Sequence, residues 1–255
     1  MLLQETTALH TSRQPGVEPR TLAGRAYLAL RQDIVLGRLA PGERLRVEHL
    51  KDRYGVGAGT LREALALLVS DALVTLEGQR GYRVSEISLA DLKDLTDTRV
   101  MLETEALRQS IRHGDREWEQ ALEAAFAQLE AAEAGRARGE SQAWELANQR
   151  FHEALIAAHR SPWSKYLLSV LYRHGERYRH VAIQMGATQQ LDRDVRAEHL
   201  AIYQAALARQ EARAALALEA HIRLTCELLL SHSAANKALA LADTSKLNRP
   251  AAETV

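Results

Sequence analysis

A mainly α-helical protein is what this sequence predicts, and three observations predict it. Alanine and leucine dominate, while proline and glycine are sparse, 5 and 14 in 255 residues. Apolar residues recur at helical spacing over most of the chain, as at Leu61, Ala64, Leu65 and Leu68. Hydroxyl residues that can cap a helix stand where such stretches begin, at Thr21, Thr60 and Ser88.

Taken in order, residues 1–20 lack periodicity and read as a flexible arm. A first helix starts near Thr21, turns Leu22, Tyr27, Leu30, Ile34 and Val35 inward and ends at Gly37. Pro41-Gly42 makes a turn, and a short second helix runs from about Val47 to Tyr54. The stretch Gly55-Val56-Gly57-Ala58-Gly59 then leads into a third helix, with Thr60 and Glu63 forming a capping box. Arg62 lies in its first turn, off the apolar stripe, where an outward arginine suits the major groove of DNA. Two β-type runs follow, residues 74–77 and 82–85, around the permissive loop Gly78-Gln79-Arg80-Gly81. Three helices and a hairpin make a winged helix-turn-helix, and Arg80 at the loop tip can reach a minor groove or phosphate.

Ser88 to Asp91 opens a run of longer helices, expected at 88–112, 115–138, 141–159, 163–184, 191–208 and 210–231. The predicted organisation is therefore an arm (1–20), a winged head (21–86), an all-α antiparallel helical bundle (87–232) and a polar tail (233–255).

Charge is balanced overall, 33 basic against 33 acidic residues, so no global field points to nucleic acid. From Arg20 to Ser85, however, 11 Lys/Arg face 7 Asp/Glu, a local net of +4. The single Cys226 forms no internal disulfide, which suits a reducing cytoplasm. There is no apolar run of the ~18 residues that span a bilayer and no signal-peptide pattern, so no membrane partner is expected.

These residues together resemble the GntR family of bacterial transcription regulators, in its FadR-type subfamily with an FCD effector domain. The head matches through Tyr27, Ile34, Pro41-Gly42, Leu61-Arg62-Glu63-Ala64-Leu65 and Gly81-Tyr82-Arg83-Val84. The bundle matches through Arg99 to Glu103, Asn148-x-x-Phe151-His152, Glu198-His199 and His221. Within that family it is most similar to the branch of a carbon-starvation-induced repressor that senses a short dicarboxylate. The resemblance implies a cytoplasmic homodimer, in which two heads read a pseudo-palindromic operator in double-stranded DNA.

One departure matters. Where family members carry Ser-Arg-Thr-Pro, this chain has Gly57-Ala58-Gly59-Thr60 and lacks the first arginine. Base reading then leans on Arg62, on backbone groups at Gly59 and Thr60, and on the wing at Arg80 and Gly81. Arg44, Arg46, Lys51 and Arg53 are candidate phosphate contacts or, equally, solvated surface charges.

In the bundle, Leu92, Leu95, Arg99, Leu102 and Ala106 share one helical face, so Arg99 points among apolar neighbours. A buried guanidinium cannot shed its proton and must meet a carboxylate, from Glu103 one turn on or from a ligand. The resemblance implies the ligand. His152, His199 and His221 sit on apolar stripes of three separate helices. Each alone reads as a core residue; together they can converge on an ion. Asn148 and His152, at i and i+4, share a face and can ligate together. The resemblance implies this set as a divalent metal site, zinc or nickel. With no protein carboxylate among the ligands, the ion favours an anion, so the expected effector is a small mono- or dicarboxylate. Arg177 is the candidate for a second acid group.

A metal-dependent helical-bundle enzyme is the alternative from another class. Such bundles use Glu-x-x-His pairs and several carboxylates, and no histidine here has a glutamate three residues before it. Three histidines and an asparagine also lack a general base. A helical adaptor would leave the inward polar groups unexplained.

Overall fold

The computed structural model describes residues 21–136, 141–184 and 194–231. The arm, the tail and the break expected from Gly186 to Gln190 lie outside the described residues. The chain divides into two compact units between Glu86 and Ile87.

The first unit holds α1 (Leu22–Val35), β1 (Arg44–Leu45), α2 (Val47–Tyr54), α3 (Ala58–Ser70), β2 (Val74–Leu76) and β3 (Tyr82–Val84). Thr21 caps α1, its hydroxyl accepting from Gly24 N at 3.0 Å. Gly55 ends α2 in the left-handed region at φ 62°, which costs a residue without a Cβ little. The wing strands pair antiparallel with Leu76 opposite Tyr82 and Val74 opposite Val84. Their loop tightens into a single 3₁₀ turn and closes at Gly81, whose φ of 85° and ψ of −145° suit glycine alone. A third strand, β1, completes the sheet in the order β1-β3-β2. Sequence reading missed it: two residues carry no alternation to detect.

Two expectations for this unit are corrected. The third helix begins at Ala58, with Gly57 as its cap, so Thr60 sits inside the first turn and the Thr60–Glu63 capping box does not form. Gly57 is already extended (φ −67°, ψ 155°) and its carbonyl takes Leu61 N at 3.0 Å, so the helix nucleates before the threonine. Arg62 is consequently the fifth helical residue, past the first turn. Leu22, expected inward, is 55% exposed because the buried stripe of α1 starts at Ala23.

The stripe Leu61, Ala64, Leu65 and Leu68 is fully buried and packs with Leu30 and Ile34 of α1. Leu68→Ala is expected to destabilise this unit by about 2–5 kcal/mol through lost transfer energy and the cavity left behind. Urea unfolding checks it; a change below about 1 kcal/mol would remove Leu68 from the core.

The second unit is helical throughout: α4 (Leu89–His113), α5 (Arg116–Arg136), α6 (Ser141–Leu155), α7 (Pro162–Gln184), α8 (Val195–Leu207) and α9 (Glu211–Ser231). Capping explains the starts. Ser88 accepts from Asp91 N at 3.1 Å, Ser161 from Ser164 N at 3.2 Å, and Asp194 from Ala197 N at 2.9 Å. α6 stops four residues short of expectation, unwinding through turns at Ala157 and His159 before Pro162. The α8–α9 seam falls on Arg209 at φ 56°, a strained conformation for a side-chain-bearing residue. Its guanidinium is anchored on Ile111 O and Glu119 and stacks 5.0 Å from the Trp118 ring. The main core gathers Leu107, Leu122, Phe151, Leu155, Ile202 and Leu218.

Candidate metal centre and nucleic-acid interface

In the first unit the basic residues are on the outside. Arg44, Arg46, Arg53, Arg62 and Arg80 are exposed, and Lys51 is partly so. They are not equally free. Arg53 donates to Asp33 at 2.8 Å, an acceptor it shares with Arg38 and Tyr54, and Lys51 pairs with Glu48 at 2.7 Å. Arg53 therefore has an internal role, tying α2 to α1. At the start of α3, Gly59 is exposed and no side chain caps the helix, which leaves first-turn N–H groups directed outward.

The second unit brings three of the predicted ligands together. His152 on α6, His199 on α8 and His221 on α9 each offer a nitrogen, and these atoms all lie within 4.8 Å of one another. Nitrogens on one ion at bonds of ~2.1 Å lie roughly 3–4 Å apart, so only small rotations separate this arrangement from coordination. The rings contact pairwise, with centroids 4.6 Å apart for His199 and His221 and 5.2 Å for His152 and His221. Apolar helical faces carry them inward, which is why polar rings are found in a core.

Two carboxylates orient the rings from behind. His152 Nδ1 donates to Glu103 Oε1 at 3.0 Å, and His221 Nδ1 donates to Glu198 Oε2 at 2.7 Å. Each bond leaves Nε2 as the lone-pair nitrogen, the arrangement by which carboxylates set histidine for a metal. Asn148, one turn before His152, is buried, and its Oδ1 has no hydrogen-bond partner among the described residues. A buried amide oxygen left unsatisfied costs about 1–3 kcal/mol, and a cation would relieve it. The donor set fits a divalent ion, three imidazoles and one neutral oxygen, with positions left open.

Arg99 resolves into something between its two readings. Its Nη2 donates to Glu103 Oε2 at 3.0 Å and its guanidinium lies 4.6 Å from the Tyr172 ring centroid, while Nε has no hydrogen-bond partner among the described residues. Glu103 is thus a fully buried hub, accepting from Arg99, His152 and the Tyr172 hydroxyl. Burial alone would raise its carboxyl; the Arg99 charge and the His152 and Tyr172 hydrogen bonds outweigh that and bring it down to about 2. The carboxylates Glu103 and Glu198 stand behind the rings, on Nδ1 of His152 and His221, and are not part of the histidine group itself.

Arg177 is 1% exposed, and burial pushes its pKa down to about 10 against the opposing effect of nearby Tyr178 and Asp91. Tyr178 is its neighbour on α7, and Asp91 lies in the first turn of α4. Sequence reading missed Tyr172, and it missed Arg179, which is paired with Glu145 at 2.9 Å. Glu198 had a signal, its place next to His199; the partners on α7 had none.

Known proteins bear on both units. The model of the gntR family of bacterial regulatory proteins matches residues 22–84, and the FCD domain model matches residues 94–224. An uncharacterized HTH-type transcriptional regulator, BphR of Paraburkholderia xenovorans (strain LB400), is 44% identical over 211 residues, 82% of this chain and 85% of that one. The HTH-type transcriptional repressor GlaR of Escherichia coli (strain K12) is 32% identical over 214 residues, 82% and 96% of the two chains. Among solved structures, a GntR transcriptional regulator from Rhodococcus sp. RHA1 aligns with a TM-score of 0.66 at 22% identity, covering 82% of this chain and 98% of that one. E. coli McbR/YncC aligns at 0.65 and 17% identity, covering 89% and 99%. The two structures support the fold: a winged head followed by a helical domain.

Proposed function

The chain belongs to the gntR family of bacterial regulatory proteins and carries an FCD effector domain, which makes it a DNA-binding transcriptional regulator and not an enzyme, and from that premise we propose that a small carboxylate bound beside a metal ion controls its grip on DNA. The ion, zinc or nickel, is held by His152, His199, His221 and Asn148 Oδ1. The observation that carries this reading is the coincidence of three histidine nitrogens within 4.8 Å with a buried, unsatisfied amide oxygen one turn from His152. The ion supplies a positive centre with open positions, and the effector's carboxylate fills them. Arg99, whose Nε is unmatched among the described residues, meets the same anion.

On the head, Arg62 reads bases in the major groove. Backbone groups at Gly59 and Thr60, and Arg80 with Gly81 on the wing, position the duplex, and Arg44, Arg46 and Lys51 contact phosphates. Arg53 contributes to the field but is shared with Asp33. Two copies form a homodimer on a pseudo-palindromic operator, acting as a repressor, the role named for the relative GlaR. Effector binding shifts the population away from the operator-compatible state. Among the described residues no helix is long and apolar enough to cross a membrane.

A thermal-shift screen of short mono- and dicarboxylates, with and without chelator, tests the pocket. A true effector should raise the melting temperature of the metal-loaded protein alone, by an amount equivalent to about 2.7 kcal/mol at a hundredfold excess over Kd. A carboxylate that stabilises chelated protein equally would disconnect the ion from the ligand.

A further inference from the structure

We infer that Tyr178 carries the state of the histidine centre to the first turn of α4, the segment that follows directly on the winged head. The inference rests on the proposed metal site and names the route by which that site acts.

The route lies along one helix. At its inner end, the Tyr172 hydroxyl donates to Glu103, the carboxylate that also holds His152 Nδ1 at 3.0 Å. One turn on, Gly175 lets Arg99 approach so closely that a Cβ there would stand 3.2 Å from Nη1. Arg179 of the same helix pairs with Glu145, one turn before Asn148 on α6. α7 is thus bonded to Glu103, which holds His152, and to α6, the helix that carries both His152 and Asn148.

At its other end, Tyr178 grips the α4 cap. Its hydroxyl accepts from Ser88 N at 3.0 Å and donates to Asp91 Oδ2 at 2.5 Å. Ser88 is the N-cap of α4 and stands two residues beyond Glu86, where the two units divide. The Tyr178 ring packs with Ile87, Leu92 and Leu95 in a small apolar cluster separate from the main core. Burial and the Asp91 charge push the phenol well above its ordinary range, so it stays a donor at neutral pH.

An ion that draws His152 Nε2 toward itself pulls on Glu103, and Glu103 has Tyr172 and Arg99 as its other partners. Tyr172 and Tyr178 are six residues apart, about 9 Å along a rigid rod, so a shift at one is delivered at the other. The stretch of α7 between Tyr172 and Tyr178 has few ways to absorb it, because both hydroxyls are bonded to carboxylates of α4. A contiguous chain of bonded groups is the physical form such coupling takes.

The test uses the full chain with zinc alone as the probe, comparing chelator-stripped and zinc-loaded protein. Elemental analysis gives occupancy, and amide hydrogen exchange gives the response of residues 88–95 against residues 118–129 of α5. The wild type should bind zinc and slow exchange at 88–95 by tenfold or more, with α5 changing less than twofold. Tyr178→Phe should keep zinc stoichiometry while its response at 88–95 falls below twofold. A merely structural role would instead raise exchange equally in both states and leave the response to zinc intact. Tyr172→Phe cuts the same route at its inner end and decides the matter if Tyr178→Phe fails to fold. A wild type that loads zinc without changing exchange at 88–95, or variants that keep the full response, would overturn the relay while sparing the metal site. A wild type that binds no zinc overturns both.

Discussion

Replacing His199 with alanine is expected to yield protein that is purified with substoichiometric metal, as measured by elemental analysis. His199 is 1% exposed and contacts both other rings, with centroids 4.6 Å from His221 and 5.7 Å from His152. Apparent binding energies of structural zinc sites run to about 10–16 kcal/mol at neutral pH. Shared over four donors that is roughly 2.5–4 kcal/mol each, so losing one should weaken binding by about 70- to 10³-fold. His159→Ala is the matched control. His159 is also buried, at 2%, but its Nδ1 is spent on the Ile156 carbonyl and it lies outside the cluster. That variant should retain metal at the wild-type level despite losing a comparable volume of core. Full occupancy in His199→Ala, or equal loss in both variants, would dissolve the site.

The contrast between those two histidines shows how far a sequence can be read. Helical phase was enough to turn His152, His199 and His221 inward, because each shares a stripe with leucine or isoleucine at three- and four-residue spacing. The same phase put Asn148 on the face of His152. What phase does not encode is which face of one helix meets which face of another. Glu103 was visible as a neighbour of Arg99 at i+4 but not as the acceptor for His152, forty-nine positions away. Tyr172 and Tyr178 were unremarkable aromatics on a long helix until their hydroxyls met Glu103 and Asp91. Local chemistry misled at one place: Thr60 and Glu63 have the spacing of a capping box, yet the extended Gly57 starts the helix three residues sooner. Where caps had no such competitor, at Thr21 and Ser88, the helix starts were legible.

That earlier helix start also sharpens what Arg62 is asked to do. Arg62→Ala is expected to abolish specific operator binding while leaving folding and self-association unchanged. Arg62 is exposed and lies off the buried stripe of Leu61, Ala64, Leu65 and Leu68, so its removal takes nothing from the core. Alanine is at least as good a helix former as arginine, so the melting temperature should hold. A bidentate arginine on guanine is worth about 1–3 kcal/mol per head, or roughly 2–6 kcal/mol for two heads on one operator, a loss of about 30- to 10⁴-fold. Ala58 and Gly59, which precede it in the same turn of α3, carry no side chain that can replace the contact. Binding sites selected from random duplexes by the wild-type protein provide the operator, and titrations at fixed salt compare the variants. Affinity for unrelated DNA should fall only slightly, because the remaining surface cations still neutralise phosphates. Arg46→Ala should do the reverse, weakening all sequences alike and lowering the salt dependence by about one ion per head. Unchanged operator affinity in Arg62→Ala would place the base-reading surface elsewhere on the head, with the wing around Arg80 the next segment to alter.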